Sequence, residues 1–212
     1  MTARTVPDGP AARNEAAALL AAGGIAAIPT DTVYGLTAVR WDAAALARLL
    51  AVKGRPPDRG IAMLLADVEQ AREVGEMTPL ATILGRELWP GGLTLVVPAR
   101  AGSRTTEVVL GPGRTVGIRV PDHPCPRRIA ETVGPLPATS ANPSGRADAA
   151  DAAEIEERFG ASIDLIVDGG PAPGAAGSTV VDCTGEVPRL LRAGPIAAER
   201  VAAVLRAAGV GR

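Results

Sequence analysis

The sequence predicts an α/β fold built on one β-sheet of mixed direction, and three observations carry that prediction. Helix-like and strand-like segments alternate along the 212 residues. The β-branched runs at Leu93 to Val97 and Val116 to Val120 have no helical segment between them, whereas a regular doubly wound parallel sheet would alternate more strictly. Hydrophobic residues make up 47% of the chain and aromatics only 2%, so the core must be substantial and aliphatic.

Taken in order, Pro10 to Ala22 is Ala/Leu-rich and stops at Gly23-Gly24, a helix with a glycine C-cap. Gly24 to Ile28 is a short apolar run ended by Pro29, a buried strand. Asp42 caps a helix that carries Leu46, Leu49 and Leu50 on one stripe and ends near Lys53-Gly54. Ile61 to Leu65 reads as a strand, and Asp67 caps the helix after it. A helix from Leu80 to Trp89 is broken by Pro90-Gly91-Gly92. Leu93 to Val97 and Val116 to Val120 are strands, and Pro124 to Val133 and Asp151 to Phe159 are helices. Ile163 to Val167 and Ser178 to Val181 are strands, and Pro195 to Ala208 is a terminal helix. Gly169 to Gly177 is the one flexible loop and is too short to link domains, so a single domain over residues 1–212 is expected.

Net charge is −1, so any phosphate contact must come from a local basic concavity and not from a global field. Cys125 and Cys183 show neither CxxC nor metal-ligand spacing, which suits buried thiols in a reducing compartment. Met1 to Arg13 holds no apolar stretch that could act as a signal peptide, and no apolar run approaches a membrane span. A cytoplasmic protein with no membrane partner is expected.

Lysine occurs once, at Lys53, among 22 Lys and Arg residues. A compact ammonium differs from a planar guanidinium in shape and hydration, so a lone lysine in an arginine-biased chain is a candidate for a task that arginine cannot do. The single Tyr, Tyr34, and the single His, His123, also fall in Gly/Pro-punctuated segments. No Walker A loop, G-x-G-x-x-G turn, multi-His zinc site or G-x-S-x-G elbow is present. What remains is equipment for holding phosphates and carboxylates. Thr30 and Thr32 follow a strand end and could face a ligand or satisfy their own turn. Lys53 and Arg55 lie at a helix C-terminus, where they could meet phosphate or simply offset the helix dipole. Arg119 sits among apolar strand residues and needs a partner, either a protein carboxylate or a ligand. Thr139 to Gly145 is dense in hydroxyls and turn residues, Ser178 follows the glycine loop, and Arg192 precedes Ala193-Gly194-Pro195.

The ordered series PTDTVYGL, KGRP, WPGGLTLVV, TVGIRVPDHP, TSANPSG, STVVD and LLRAGPI, from about Gly23 to Ile196, resembles the YrdC-like family of L-threonylcarbamoyladenylate synthases. The resemblance implies an open, twisted mixed sheet with helices around a basic concave cavity. It implies that L-threonine, bicarbonate and ATP, with Mg2+ carried on the phosphates, give L-threonylcarbamoyladenylate and pyrophosphate. The product would feed threonylcarbamoyl modification of tRNA through a downstream transferase, with a tRNA contact also implied. By motif position, Thr32, Arg119 and Ser178 resemble the threonine-contacting residues. Lys53, Arg55, Thr115, Ser140, Asn142 and Arg192 resemble the ATP-side group, with Lys53 and Arg55 as the catalytic pair. Tyr34 would shape the pocket wall. Longer members carry an extra C-terminal domain, and none is expected here.

There are departures. Arg59 and Leu64 stand where many members have Asn and His, Ala138 offers no side-chain donor, and Asp148 stands where a small hydroxyl residue is frequent. Two rivals follow: an RNA-binding module of the same fold, and a paralogue with a different substrate.

Overall fold

Apolar residues at alternate strand positions give the sheet two faces that are covered differently, and the difference creates the site. The computed structural model describes residues 2–54, 60–103, 105–143, 145–174 and 176–210. Its strands are β1 (Arg4–Pro7), β2 (Ala26–Ile28), β3 (Gly35–Thr37), β4 (Ala62–Leu64), β5 (Leu93–Pro98), β6 (Thr115–Arg119), β7 (Leu136–Ser140), β8 (Leu165–Asp168), β9 (Thr179–Asp182) and β10 (Arg189–Arg192). They form one ten-stranded sheet in the order β1-β8-β2-β3-β7-β4-β6-β5-β9-β10. The pairs β1/β8, β2/β8, β4/β6 and β5/β9 are parallel, and the other five are antiparallel. The mixed sheet expected from the sequence is therefore present.

The helices are α1 (Pro10–Ala21), α2 (Ala43–Lys53), α3 (Val68–Val74), α4 (Pro79–Leu88), α5 (Pro124–Val133), α6 (Ala152–Phe159) and α7 (Ala198–Ala207). The two predicted caps are made, since Asp42 accepts from the amides of Ala44 and Ala45 and Asp67 from that of Gln70; Asp151, expected as the first residue of a helix, caps that helix by accepting from the amide of Glu154. Gly54 ends α2 in the left-handed region at φ 63°, which suits a residue without a side chain.

On one face, Ala27, Leu36, Met63, Leu93, Leu95, Val97, Ile118 and Ile166 join apolar residues of α2, α3, α4, α6 and α7 in the larger core. On the other face, α1 and α5 cover only one part, packing Leu20, Ile129 and Val133 against Ala26, Ile28, Leu64, Leu136, Leu165 and Val167. Next to them the same face lies open around β4, β5, β6 and β9, and a cavity of about 370 Å³ occupies it.

Four strands, β1, β3, β7 and β10, go beyond the elements expected from the sequence. The three residues of β3 are too few to show a period, and β7 carries Pro137, a residue that normally argues against a central strand. The terminal helix begins at Ala198 and not at Pro195, because the amide of Ile196 donates to Thr179 Oγ1 at 3.0 Å and that hydroxyl donates back to the Ile196 carbonyl at 2.8 Å. The loop from Gly169 is also tied down where it is described. The amides of Ala172 and Gly174 donate to the carbonyls of Ala150 and Thr32, at 2.7 and 2.9 Å.

Candidate active site

The cavity floor is read directly from strand alternation. Ala62 and Leu64 of β4, Thr94 and Val96 of β5, Thr115, Gly117 and Arg119 of β6, and Ala138 and Ser140 of β7 all line it. Their neighbours Met63, Leu93, Leu95, Val116 and Ile118 point into the core behind. Small side chains leave the floor open, and three hydroxyls and one guanidinium equip it.

The edge is built by the loop after β2. Thr30 donates its hydroxyl hydrogen to the carbonyl of Val33 at 2.7 Å and accepts from the amide of Thr32 at 3.1 Å. A hydroxyl has one hydrogen, so in the 3.1 Å contact between Thr30 Oγ1 and Thr32 Oγ1 the donor is Thr32. Thr32 also accepts from Arg119 Nη1 at 2.9 Å. It can then offer a ligand an acceptor lone pair. Thr30 serves its own turn, and both Thr30 and Thr32 line the cavity.

Arg119 has the protein carboxylate that its burial demands. Nη2 pairs with Asp31, with side chains 5% and 14% exposed, and Nε donates to the carbonyl of Gly91 at 3.0 Å. The WPGG segment thus has a role, delivering that carbonyl. Among the described residues, three of the five guanidinium N–H groups are used, which leaves two for a ligand. Asp31 was not singled out in the sequence, although a buried arginine announces that some carboxylate must exist.

Ser178 joins two further groups. It shares a 2.7 Å hydrogen bond with Thr94 Oγ1, and Arg192 donates to its hydroxyl at 3.1 Å and to its carbonyl at 2.9 Å. A Cβ on Gly177 would sit 3.0–3.4 Å from the Arg192 guanidinium, so a side chain there would crowd it. Burial pushes the Arg192 pKa down from its ordinary value, while Asp148 opposes the shift. Thr94 could have been found as the lone hydroxyl in an apolar strand, on the face opposite Leu93 and Leu95.

Lys53 takes a different place from an open phosphate contact. Its ammonium, on a residue 5% exposed, donates to the carbonyl of Ser140 at 2.7 Å, to Ser140 Oγ at 3.1 Å, and to Asn142 Oδ1. Ser140 Oγ donates to the same Asn142 oxygen at 2.6 Å. Ser140 lines the cavity, and Lys53 and Asn142 stand behind it. The structure therefore brings Thr32, Thr115, Arg119, Ser140, Ser178 and Arg192 onto one cavity, with Lys53 and Asn142 in contact with it through Ser140. Arg55 and Arg59 lie outside the described residues.

Tyr34 also lines the cavity, and its hydroxyl donates to the carbonyl of Gly170 at 2.6 Å and accepts from the amide of Gly169 at 2.9 Å. Burial pushes its pKa up to about 12, so the phenol is a locked donor, in line with a wall role. His123 is elsewhere: it caps α5, its Nδ1 accepting from the amide of Cys125 at 3.1 Å, and burial lowers its pKa. Its rarity signalled a helix cap and not a site. Cys125 and Cys183 are free and buried.

This arrangement has relatives. A putative threonylcarbamoyl-AMP synthase of Mycobacterium tuberculosis (strain ATCC 25618 / H37Rv) is 40% identical over 185 residues, covering 87% of this chain and 84% of that protein. The threonylcarbamoyl-AMP synthase of Bacillus subtilis (strain 168) is 37% identical over 193 residues, 90% of this chain but 56% of that protein. Among solved structures, P. abyssi Sua5 complexed with L-threonine superposes with a TM-score of 0.88 at 33% identity, covering 96% of this chain and 60% of that one. The chain thus spans little more than half the length of these last two relatives. The Sua5/YciO/YrdC family model, described as telomere recombination, matches residues 18–194, and the chain belongs to that family.

Proposed function

We propose that the chain makes threonylcarbamoyl-AMP from L-threonine, bicarbonate and ATP, with release of pyrophosphate. The observation that carries this reading is the single cavity in which Arg119 and Thr32 stand beside Ser178, Thr94 and Arg192. The names of relatives at 37–40% identity support the same chemistry.

In this reading, the two remaining N–H groups of Arg119 take threonine's carboxylate, a geometry suited to a guanidinium. Thr32 accepts from the substrate's hydroxyl, and Ser178 closes the threonine side. Threonine's amine captures CO2 or bicarbonate, and an oxygen of the resulting carbamate attacks the α-phosphorus. Arg192, Thr115 and Ser140 line the ATP side, Asn142 holds Ser140 from behind, and Lys53 and Arg55 offset charge on the triphosphate and leaving pyrophosphate. Catalysis is then positioning and charge stabilisation, without a dedicated acid–base pair.

Magnesium would accompany the triphosphate. Among the described residues no group of three or more His, Cys, Asp or Glu side chains could hold a metal. That donor set fits a cation carried mainly on phosphate oxygens and water, where it would neutralise charge on the phosphates. The reading extends to a cytoplasmic setting, to a tRNA contact, and to a transferase that consumes the adenylate. No described helix is long and apolar enough to cross a membrane, and both cysteines are free, which suits that setting.

The test is direct detection of the product. Incubation with threonine, 13C-bicarbonate and ATP is expected to give an adenylate whose mass carries the label. AMP or ADP without a threonine-containing adenylate would overturn the reading.

A further inference from the structure

Asp148 is the one acidic side chain among the described residues that line the cavity. Its place is fixed by the backbone, since the amide of the next residue, Ala149, donates to the carbonyl of Ala141 at 3.0 Å and Ala149 is buried. Asp148 and Arg192 line the same cavity, where the carboxylate opposes the burial-driven fall of the Arg192 pKa without an ion pair at contact distance among the described residues. The carboxylate also takes no hydrogen bond from any described residue, so its oxygens are available to a ligand. It is only partly buried.

A carboxylate on the wall of a cavity that takes a triphosphate is repulsive to phosphate oxygens unless a cation stands between them. Carboxylate and phosphate oxygens are the hard ligands that magnesium accepts, with water completing its octahedron. On the nucleotide-binding reading above, we infer that Asp148 is the protein's contact to the divalent cation carried by the triphosphate. Through that contact the chain selects the magnesium-bound nucleotide over the free one. Arg192, on the same cavity, meets the same phosphates with the other sign of charge. Asp148 is thus a specificity residue for the metal–nucleotide complex.

The experiment is calorimetric titration of ATP into the wild-type chain, Asp148→Asn and Asp148→Ser, each in excess Mg2+ and in excess EDTA. Circular dichroism verifies the fold of each variant. Wild type is expected to bind at least about tenfold more tightly with Mg2+ than without it. Both variants are expected to lose most of that ratio, partly because free ATP binds more tightly once the repulsion is gone. A parallel measurement of free Mn2+ by electron paramagnetic resonance, with a non-hydrolysable ATP analogue present, should show weaker Mn2+ retention in both variants. An unchanged Mg2+/EDTA ratio in the variants overturns the inference and leaves the nucleotide reading intact. Absence of ATP binding to wild type under both conditions overturns both.

Discussion

Asp31 holds the guanidinium of Arg119 in a buried ion pair that links the loop after β2 to the end of β6, 88 positions away. Removing the guanidinium leaves a carboxylate with little access to water. Arg119→Ala is therefore expected to cost about 3–5 kcal/mol of stability, the range for breaking one side of a buried pair. It should also raise the threonine requirement far more than the ATP requirement. The double variant Asp31→Ala with Arg119→Ala should recover part of the stability, because no orphan carboxylate remains, yet none of the threonine affinity. Denaturant melts and substrate titrations separate the two effects. Equal losses for threonine and ATP would make the pair structural only.

Lys53→Arg keeps the charge and is still expected to lower synthesis by roughly 100-fold or more, the scale of removing one preorganised donor. The structure adds a reason. Three acceptors on Ser140 and Asn142 close around one nitrogen, and a planar fork cannot reproduce that geometry. Steady-state rates with the fold verified by circular dichroism measure this. Near-normal turnover would contradict it.

Tyr34→Phe removes a bond to the Gly170 carbonyl and one from the Gly169 amide, and should destabilise by about 1–3 kcal/mol. The pH dependence has a definite sign. The phenol pKa rises from 10.0 to about 12 in the folded state, so the folded chain keeps a proton that the unfolded chain loses. This contribution is complete below pH 10.0 and is lost as pH climbs toward about 12. The thiol of Cys183, pushed up to about 12, and that of Cys125, also raised, act in the same direction. Tyr34→Phe should therefore flatten, and not abolish, the alkaline fall in stability measured by urea melts across that window. An unaltered profile would count against the locked phenol.

Threonine's hydroxyl should matter more than its methyl. Thr32 has an acceptor lone pair left for a substrate donor, and Leu64 contributes only apolar surface to the cavity. Serine, which lacks the methyl, should be poorer by about 10–200-fold, whereas 2-aminobutyrate leaves a polar group unpaired and should be poorer still. Adenylate formation with the three amino acids checks the order. If 2-aminobutyrate outperforms serine, the pocket reads shape.

Much of the fold was legible because its signals are local. Asp42 and Asp67 each cap a helix as expected, and α5 runs from Pro124 to Val133 as its pattern says. The missed strands depend on distant partners. β3 has three residues and is defined by β2 on one side and β7 on the other, and β10 is an exposed edge whose Leu190 and Leu191 show no alternation. The site divides in the same way. Scarcity and motif order singled out Lys53, Arg119, Ser178 and Arg192, but a sequence states only that Arg119 needs a partner. It does not say that the partner is Asp31, or that Lys53 grips the Ser140–Asn142 turn from behind.

If one cavity joins threonine to the α-phosphate of ATP, activation of the nucleotide must depend on threonine. ATP–pyrophosphate exchange, measured with bicarbonate present and with or without threonine, tests it most directly. Exchange is expected only when threonine is added, and is expected to be lost in Arg119→Ala at threonine concentrations that saturate wild type. Exchange that proceeds equally without threonine, or that fails with threonine while ATP remains bound, would contradict it.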